Sequence, residues 1–404
     1  MPVTIQRSPR LMWSSATGRS VRKLRQLYEE HRAAGHVNLF YGLLQEACES
    51  GEIDRQSFSI REAFVQFVED DRGNAIGRDL IEELDPERGN AVVLSEANVD
   101  TAQFANITGQ IVYSELVEKF NDPAFIGAQL VTTTPTKFDG EKVAGVANLD
   151  DSDLANVAEA AAYPRINTGE VYYETPSTVK RGAIVPVTKE AIFFDRTGLV
   201  LQRAGEVGHT LGLDKEKRIL AEVVGLNTTY KRNGAAAVGP YAAAADNRPW
   251  VNVVASNALV DWTDIDAAEQ AFAAMNDPDT GNAIDNTGKT LLVPSALVGT
   301  AMRILNATEV RHGTNPVSVS SSPISGYSHL TSRQVHRLTG SATTWFVGNF
   351  KKAFRYMQNW PIQVVQAPPN ATEEFNNDIV AQFKASERGI AATVNPWYVI
   401  KCTA

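Results

Sequence analysis

The segment from Ala183 to Gly225, "AIVPVTKEAIFFDRTGLVLQRAGEVGHTLGLDKEKRILAEVVG", narrows most what this chain can build. It opens with strand-like alternation and passes into a long helical pattern. Val200, Ala204, Val207, Leu211, Ile219 and Val223 recur near helical spacing. Asp195 or Thr197 is suited to start that helix, and Gly225 to stop it. Gly198, Gly205, Gly208 and Gly212 fall inside the pattern. Each weakens a helix interior by roughly 1 kcal/mol relative to Ala. Glycines kept at that cost imply a close backbone approach or a bend.

Such a helix needs a body to pack on, and the composition supplies one. The chain has 404 residues, 43% hydrophobic and 21% charged, as expected of a folded protein of two or three domains. A net charge of −9 opposes nucleic-acid binding by the whole surface. Cys48 and Cys402 form no CxxC pair, so neither a disulfide framework nor a zinc site is indicated, and a reducing cytoplasm fits. No apolar run reaches the roughly 18 residues of a membrane helix. The start, "MPVTIQRSPRLMWSSATGRS", lacks the apolar core of a secretion signal.

Residues 1–95 are predicted to be helical and to form their own unit. "SVRKLRQLYEEHRAAG" carries Ser20 as cap and Gly35 as stop. "NLFYGLLQEACESGEI", "SIREAFVQFVEDD" and "GRDLIEELDPERGN" follow, the middle one with Ile60, Ala63, Phe64, Phe67 and Val68 on one side. "TAQFANITGQIVYSELVEKFND" is a further helix, ended by Pro123. "GEVYYETPSTVKRGAIVPVT" is predicted to form two strands joined around Thr175–Ser177, a hairpin projecting from the body. Beyond the long helix, "TDIDAAEQAFAAMND" starts with an approximate capping box of Thr263 and Asp266. "KTLLVP" is a buried strand, and "SALVGTAMRIL" is a helix capped by Ser295, so residues 226–340 read as a compact α/β unit. The C-terminal stretch is strand-rich, with "VAQFKASERGIAATV" predicted to turn back at Glu387–Gly389.

The search for chemistry is close to empty. "GNAIDNTGKT" places six residues between Gly281 and Gly288 where a P-loop has fewer, and it precedes a strand, so it reads as a polar turn. His31, His36, His209, His312, His329 and His336 form no HExxH pair. His209 lies on the glycine-containing helix and reads as a polar contact at a helix or subunit seam. "GYSHL" lacks the second glycine of a nucleophile elbow. Adjacent acids such as Asp70–Asp71 and Glu373–Glu374 read as solvated surface. No catalytic, cofactor-binding or metal-binding set emerges. An enzyme with an unfamiliar site would show a cleft gathering some of His209, Asp214, His312 or His336 with acids.

The order of elements over about residues 98–404 resembles the HK97-fold major capsid protein of tailed bacteriophages. "ANITGQIVYSELVEKF" with "IGAQLVTTTPT" is similar to that family's N-terminal arm, and "VPVTKEAIFFDRTGLVLQRAGEVGHTLGLDKEKRILAEVVG" to its E-loop return and spine helix. "WFVGNFKKAFRYMQNWPIQVV" and "FNNDIVAQFKASERGIAATVNPWYVI" are similar to its closing strands. The resemblance implies an α+β fold: a long spine helix packed on a β-sheet P-domain, an α/β A-domain, an extended β-hairpin E-loop, an N-terminal arm and a helical N-terminal extension. It divides the chain into the extension at 1–95, the arm and start of the P-domain at 96–149, and the E-loop at 150–187. The spine helix then occupies 188–225, the A-domain 226–342 and the last P-domain strands 343–404.

The implied function is structural: self-assembly, through pentamers and hexamers, into an icosahedral shell enclosing double-stranded DNA without sequence-specific contacts. Decoration, scaffolding, portal and protease proteins are the implied partners. No cofactor or membrane is implied, and the implied place is the virion, assembled in the bacterial host cytoplasm. Gly205, Gly208, His209 and Gly212 are the implied subunit-packing positions. Lys142 or Lys180 is a candidate amine donor where such shells cross-link. The first 95 residues depart from the family pattern. Some members carry a scaffolding segment there that is later removed, whereas the apolar faces here point to a retained, ordered extension. An encapsulin-like compartment storing cargo enzymes shares the fold and is the alternative.

Overall fold

The computed structural model describes residues 21–50, 58–70, 99–100, 102–146, 156–157, 159, 170–278, 281–284, 289–312, 318–322, 324, 326–367 and 378–404. The helix expected in "GRDLIEELDPERGN" and most of the loop expected over 150–169 lie outside the described residues. The chain divides into two compact units. The first takes in the residues up to Asp122, Arg181–Gly212 and Ile362–Glu387; the second takes in Pro123–Lys180, Leu213–Pro361 and Arg388–Ala404.

In the first unit, the helices Val21–Ala33, Val37–Glu49 and Ile60–Phe67 meet the 19-residue helix Ala102–Phe120 and the start of the long helix Thr197–Val223. The Ser59 hydroxyl caps the third helix by accepting the Glu62 N–H at 3.0 Å. The stripe Ile60, Ala63, Phe64 and Phe67 is buried as its spacing requires. It shares one core with Phe40, Leu44, Phe104, Ile107, Val200 and Ala204. Phe64 packs edge-on to Phe104 at 5.3 Å, and Tyr28 to Phe40 at 5.5 Å. Each such side chain contributes roughly 1.5–3 kcal/mol of burial. The N-terminal helices share this core with later segments of the chain. Their apolar faces are completed by residues that lie more than a hundred positions later in the chain.

The second unit centres on a five-stranded sheet in the order Ser328–Thr331, Thr290–Val293, Trp345–Gly348, Val399–Cys402 and Val253–Val254. Its side chains alternate between two cores, as the pleat dictates. Leu291, Val293, Trp345, Val347 and Ile400 face Ile265, Ala268, Ala301 and Ile304 of two helices. Leu292, Phe346 and Val399 face Ile219, Leu220 and Val223, the end of the long helix. Cover on both faces explains strands that are apolar at nearly every position, "TLLV" and "WFVG". The sheet takes strands from both sides of residue 342.

Three local expectations are corrected. Glu170–Glu174 does not pair with Val179–Thr188. It pairs antiparallel with Lys142–Val146, while Val179–Thr188 joins a sheet in the order Thr132–Pro135, Phe354–Gln366, Ile379–Thr393, Val179–Thr188. The turn residues are tied to the segment before Lys142. Thr178 donates its N–H and hydroxyl to Asp139 at 2.7 and 3.0 Å, and the Thr175 hydroxyl accepts the Glu141 N–H at 2.9 Å.

Second, the chain does not turn at Glu387–Gly389: Ile379–Thr393 is one 15-residue strand. Gly389 is there for space, because a Cβ would lie 2.7 Å from the Tyr356 ring. Third, the capping box of the helix Trp262–Ala273 sits two residues early, on Asp261 and Asp264. The helix Val298–Leu305 follows a short turn at Ser295–Leu297 and has no side-chain cap.

Asn252, fully buried, pins the loops of the second unit. Its amide donates to the carbonyls of Pro240, Pro396 and Val399 at 3.0, 2.9 and 3.1 Å, and its carbonyl accepts the Ala242 N–H at 2.7 Å. Asn252→Ala strands these groups and is expected to lower stability by about 3 kcal/mol, read as a shift of the urea midpoint.

Candidate functional site

The long helix carries the polar and glycine positions that organise both units, and its first half lies in the first unit. Asp195 adopts φ 49° at the turn before it, and its carboxylate accepts the Thr197 hydroxyl at 2.7 Å. Asn and Asp tolerate that left-handed conformation better than most residues.

The four glycines then differ. A Cβ on Gly208 would sit 2.2 Å from the Leu116 carbonyl oxygen, so the two helix backbones touch there. A Cβ on Gly205 would meet the side chains of Glu115 and Lys119 at 3.4 Å and beyond, which is ordinary contact, and one on Gly198 would meet nothing. Gly212 is buried. Leu116, Phe120, Leu211 and Ala385 close the core below the Gly208 contact. His209 points outward, its side chain half exposed, with Nδ1 3.8 Å from the Asp122 carboxylate.

The second half lies in the second unit and is held by charged side chains, of which Glu216 and Glu222 are buried. Glu216 accepts the N–H groups of Ile126 and Gly127 at 3.1 and 2.6 Å, capping the short helix Gly127–Leu130. A Cβ on Gly127 would lie 2.5 Å from that carboxylate. Arg218 donates to Asp214 at 2.9 Å, to the Gly389 carbonyl at 2.8 Å and to the Tyr356 hydroxyl at 3.3 Å. The Lys215 ammonium lies 4.8 Å over the Tyr356 ring. Glu222 is buried and accepts from Asn227, Thr229 and Thr393. Burial pushes both carboxyls, Glu216 and Glu222, above the ordinary value of 4.5, against the pull of these donors.

Sequence reading missed Glu216, Arg218 and Glu222. The available signal was spacing: Glu216 and Glu222 stand three residues either side of Ile219, on the apolar face.

The residues that an enzyme would have gathered are spread over different elements. Asp214 is bound to Arg218, His312 ends the strand Glu309–His312, and His336 lies in the helix Arg333–Thr339. Both cysteines are buried thiols, and burial pushes the Cys402 thiol up to about 12. Among the described residues, no group of three or more His, Cys, Asp or Glu is placed to hold a metal, and no helix is long and apolar enough to cross a membrane. What these contacts do is mechanical: in the first unit they hold the helix to Ala102–Phe120, and in the second they hold it to a short helix, strands and a loop.

A sequence model described as phage capsid protein matches residues 172–402. No curated protein matches the chain in sequence. Among solved structures, one from Mycobacterium phage Bobi is 15% identical with a TM-score of 0.43, the match covering 69% of this chain and 89% of that one. The cyanophage Pam1 capsid asymmetric unit is 12% identical with a TM-score of 0.44, covering 71% and 92%. A virus-like particle from Pyrococcus furiosus is 8% identical with a TM-score of 0.40, covering 72% and 98%.

The glycines make opposed expectations. Gly208→Ala forces the helices apart and is expected to destabilise the subunit by about 2 kcal/mol. Gly198→Ala meets open space and is expected to stabilise it by up to about 1 kcal/mol. Thermal unfolding of the two variants side by side reads the difference.

The buried acids make a pH expectation. A carboxyl whose folded value is raised contributes its full stability below its unfolded value of 4.5 and loses it as pH rises through the folded value. Glu222→Gln removes that loss, so its urea midpoint is expected to fall less than that of the wild type between about pH 5 and about pH 7.

Proposed function

This chain belongs to the phage capsid protein family, and on that premise we propose that it is the major head subunit of an icosahedral shell enclosing double-stranded DNA. That it is a structural protein of a capsid shell, and not an enzyme, follows from the family, whose model covers more than half of the chain. The finer reading is that the copies join as pentamers and hexamers. In that reading they assemble in the bacterial host cytoplasm, with scaffolding, portal, protease and decoration proteins as partners, and hold DNA without reading its sequence. An acidic chain, at −9, suits a wall along which DNA slides.

The exposed apolar side chains support assembly. Ile184 and Phe194 in the first unit expose 57% and 60% of their surface, and Phe138 and Val260 in the second expose 64% and 62%. In the shell reading these are side chains that neighbouring copies would cover. For Gly205, Gly208, His209 and Gly212 we keep a subunit-packing role as a proposal, in which His209, half exposed beside Asp122, is the member that faces outward. The proposed divisions at 95, 149, 187, 225 and 342 follow the family resemblance. An encapsulin-like compartment is the weaker reading, since the matching family is of phage capsids.

Negative-stain electron microscopy with light scattering on the chain expressed alone tests the shell. Closed particles or rings of five and six subunits are expected; a monomer or dimer at every salt concentration, with or without co-expressed head proteins, contradicts it. Phe194→Asp and Val260→Asp are each expected to lower particle yield by about tenfold or more while leaving the far-UV spectrum of the subunit unchanged.

A further inference from the structure

We propose that the helices Val21–Ala33, Val37–Glu49 and Ile60–Phe67 are a permanent brace of the subunit, fixing where the long helix begins, and not a guide segment released as the shell matures. The proposal rests on the shell reading above.

Two independent features carry it. The first is the hydrogen bonding at residues 59–61. The Ile60 N–H donates to the Thr197 hydroxyl at 2.7 Å, the Ser59 hydroxyl to Asp195 Oδ2 at 2.8 Å, and the Arg61 N–H to Asp195 Oδ1 at 3.4 Å. Thr197 in turn donates to Asp195 Oδ1. The N-terminus of the Ile60–Phe67 helix and the turn that starts the long helix thus share one set of caps. Asp195, the residue that turn holds at positive φ, takes three of the four bonds. The Arg61 guanidinium also lies 5.9 Å over the Phe193 ring in the same turn. Take the extension away, and of these four bonds only that from Thr197 remains, beside the turn's own backbone hydrogen bonds.

The second feature is the core. Phe40, Phe64 and Phe67 are buried in the same cluster as Phe104, Ile107 and Val200. The last three belong to the two helices that touch at Gly208. A segment meant to leave would lie on a surface that water can accept afterwards. Removal here would open the apolar centre of the unit, where Phe104 and Ile107 have no exposure.

Intact-mass measurement on purified, denatured particles tests this on the wild-type chain. Residues 21–68 are expected in every copy, in empty and DNA-filled particles alike; DNA-filled particles whose chains begin beyond residue 68 overturn the proposal. If no particles form, the shell reading fails and the brace is tested on the soluble subunit by limited proteolysis. Protection of residues 21–68 supports it, and their rapid loss to leave a stable, soluble 99–404 core overturns it. A paired variant, Ser59→Ala with Thr197→Val, removes three of the four shared bonds with little change of volume, leaving the Arg61 N–H on Asp195. It is expected to raise cleavage at residues 194–199 at least tenfold over the wild type at equal protease; unchanged cleavage there counts against the bracing contact.

Discussion

The long helix and the Ala102–Phe120 helix approach so closely at Gly208 and Leu116 that no side chain fits between their backbones. The rest of the first unit follows from that contact. With the two helices pressed together, Leu116, Phe120 and Leu211 close one core, while Phe104, Val200 and Ala204 open onto another that the N-terminal helices fill. A methyl group at Gly208 would act on both. Close packing of this kind is what makes an interior respond to small volume changes, and it explains why a helix would keep a residue that weakens it locally.

Further along the same helix the means change from packing to charge. Glu216, Arg218 and Glu222 spend their hydrogen-bonding capacity on a short helix, two strands and a loop of the second unit. Buried charges with satisfied partners specify geometry more than they stabilise it. One helix therefore serves two units, by backbone contact in Thr197–Gly212 and by side-chain hydrogen bonds in Leu213–Val223.

Much of this was legible in the sequence. The apolar stripe of Ile60, Ala63, Phe64 and Phe67, the long helix and the buried strand "TLLV" follow from periodicity, which local chain geometry enforces. What failed were readings that depend on distant partners. Gly389 looked like a turn because glycine permits turns; it is in a strand because Tyr356 occupies the space of its missing side chain. The strand Glu170–Glu174 sits beside its expected partner in sequence, yet Asp139 and Glu141 draw the turn to another strand. The glycines looked alike, yet of Gly198, Gly205 and Gly208 it is Gly208 that has a backbone against it. Glu216 and Glu222 sat on the apolar face in plain sight, but their donors come from loops that no local pattern predicts.

A reconstruction of particles formed by this chain, at a resolution that shows side chains, tests the account most directly. The expected density in every subunit is an unbroken helix from Thr197 to Val223, its backbone in contact with Leu116 at Gly208. Particles in which that helix is broken, or stands clear of the Ala102–Phe120 helix, would show that the subunit is not organised around this contact.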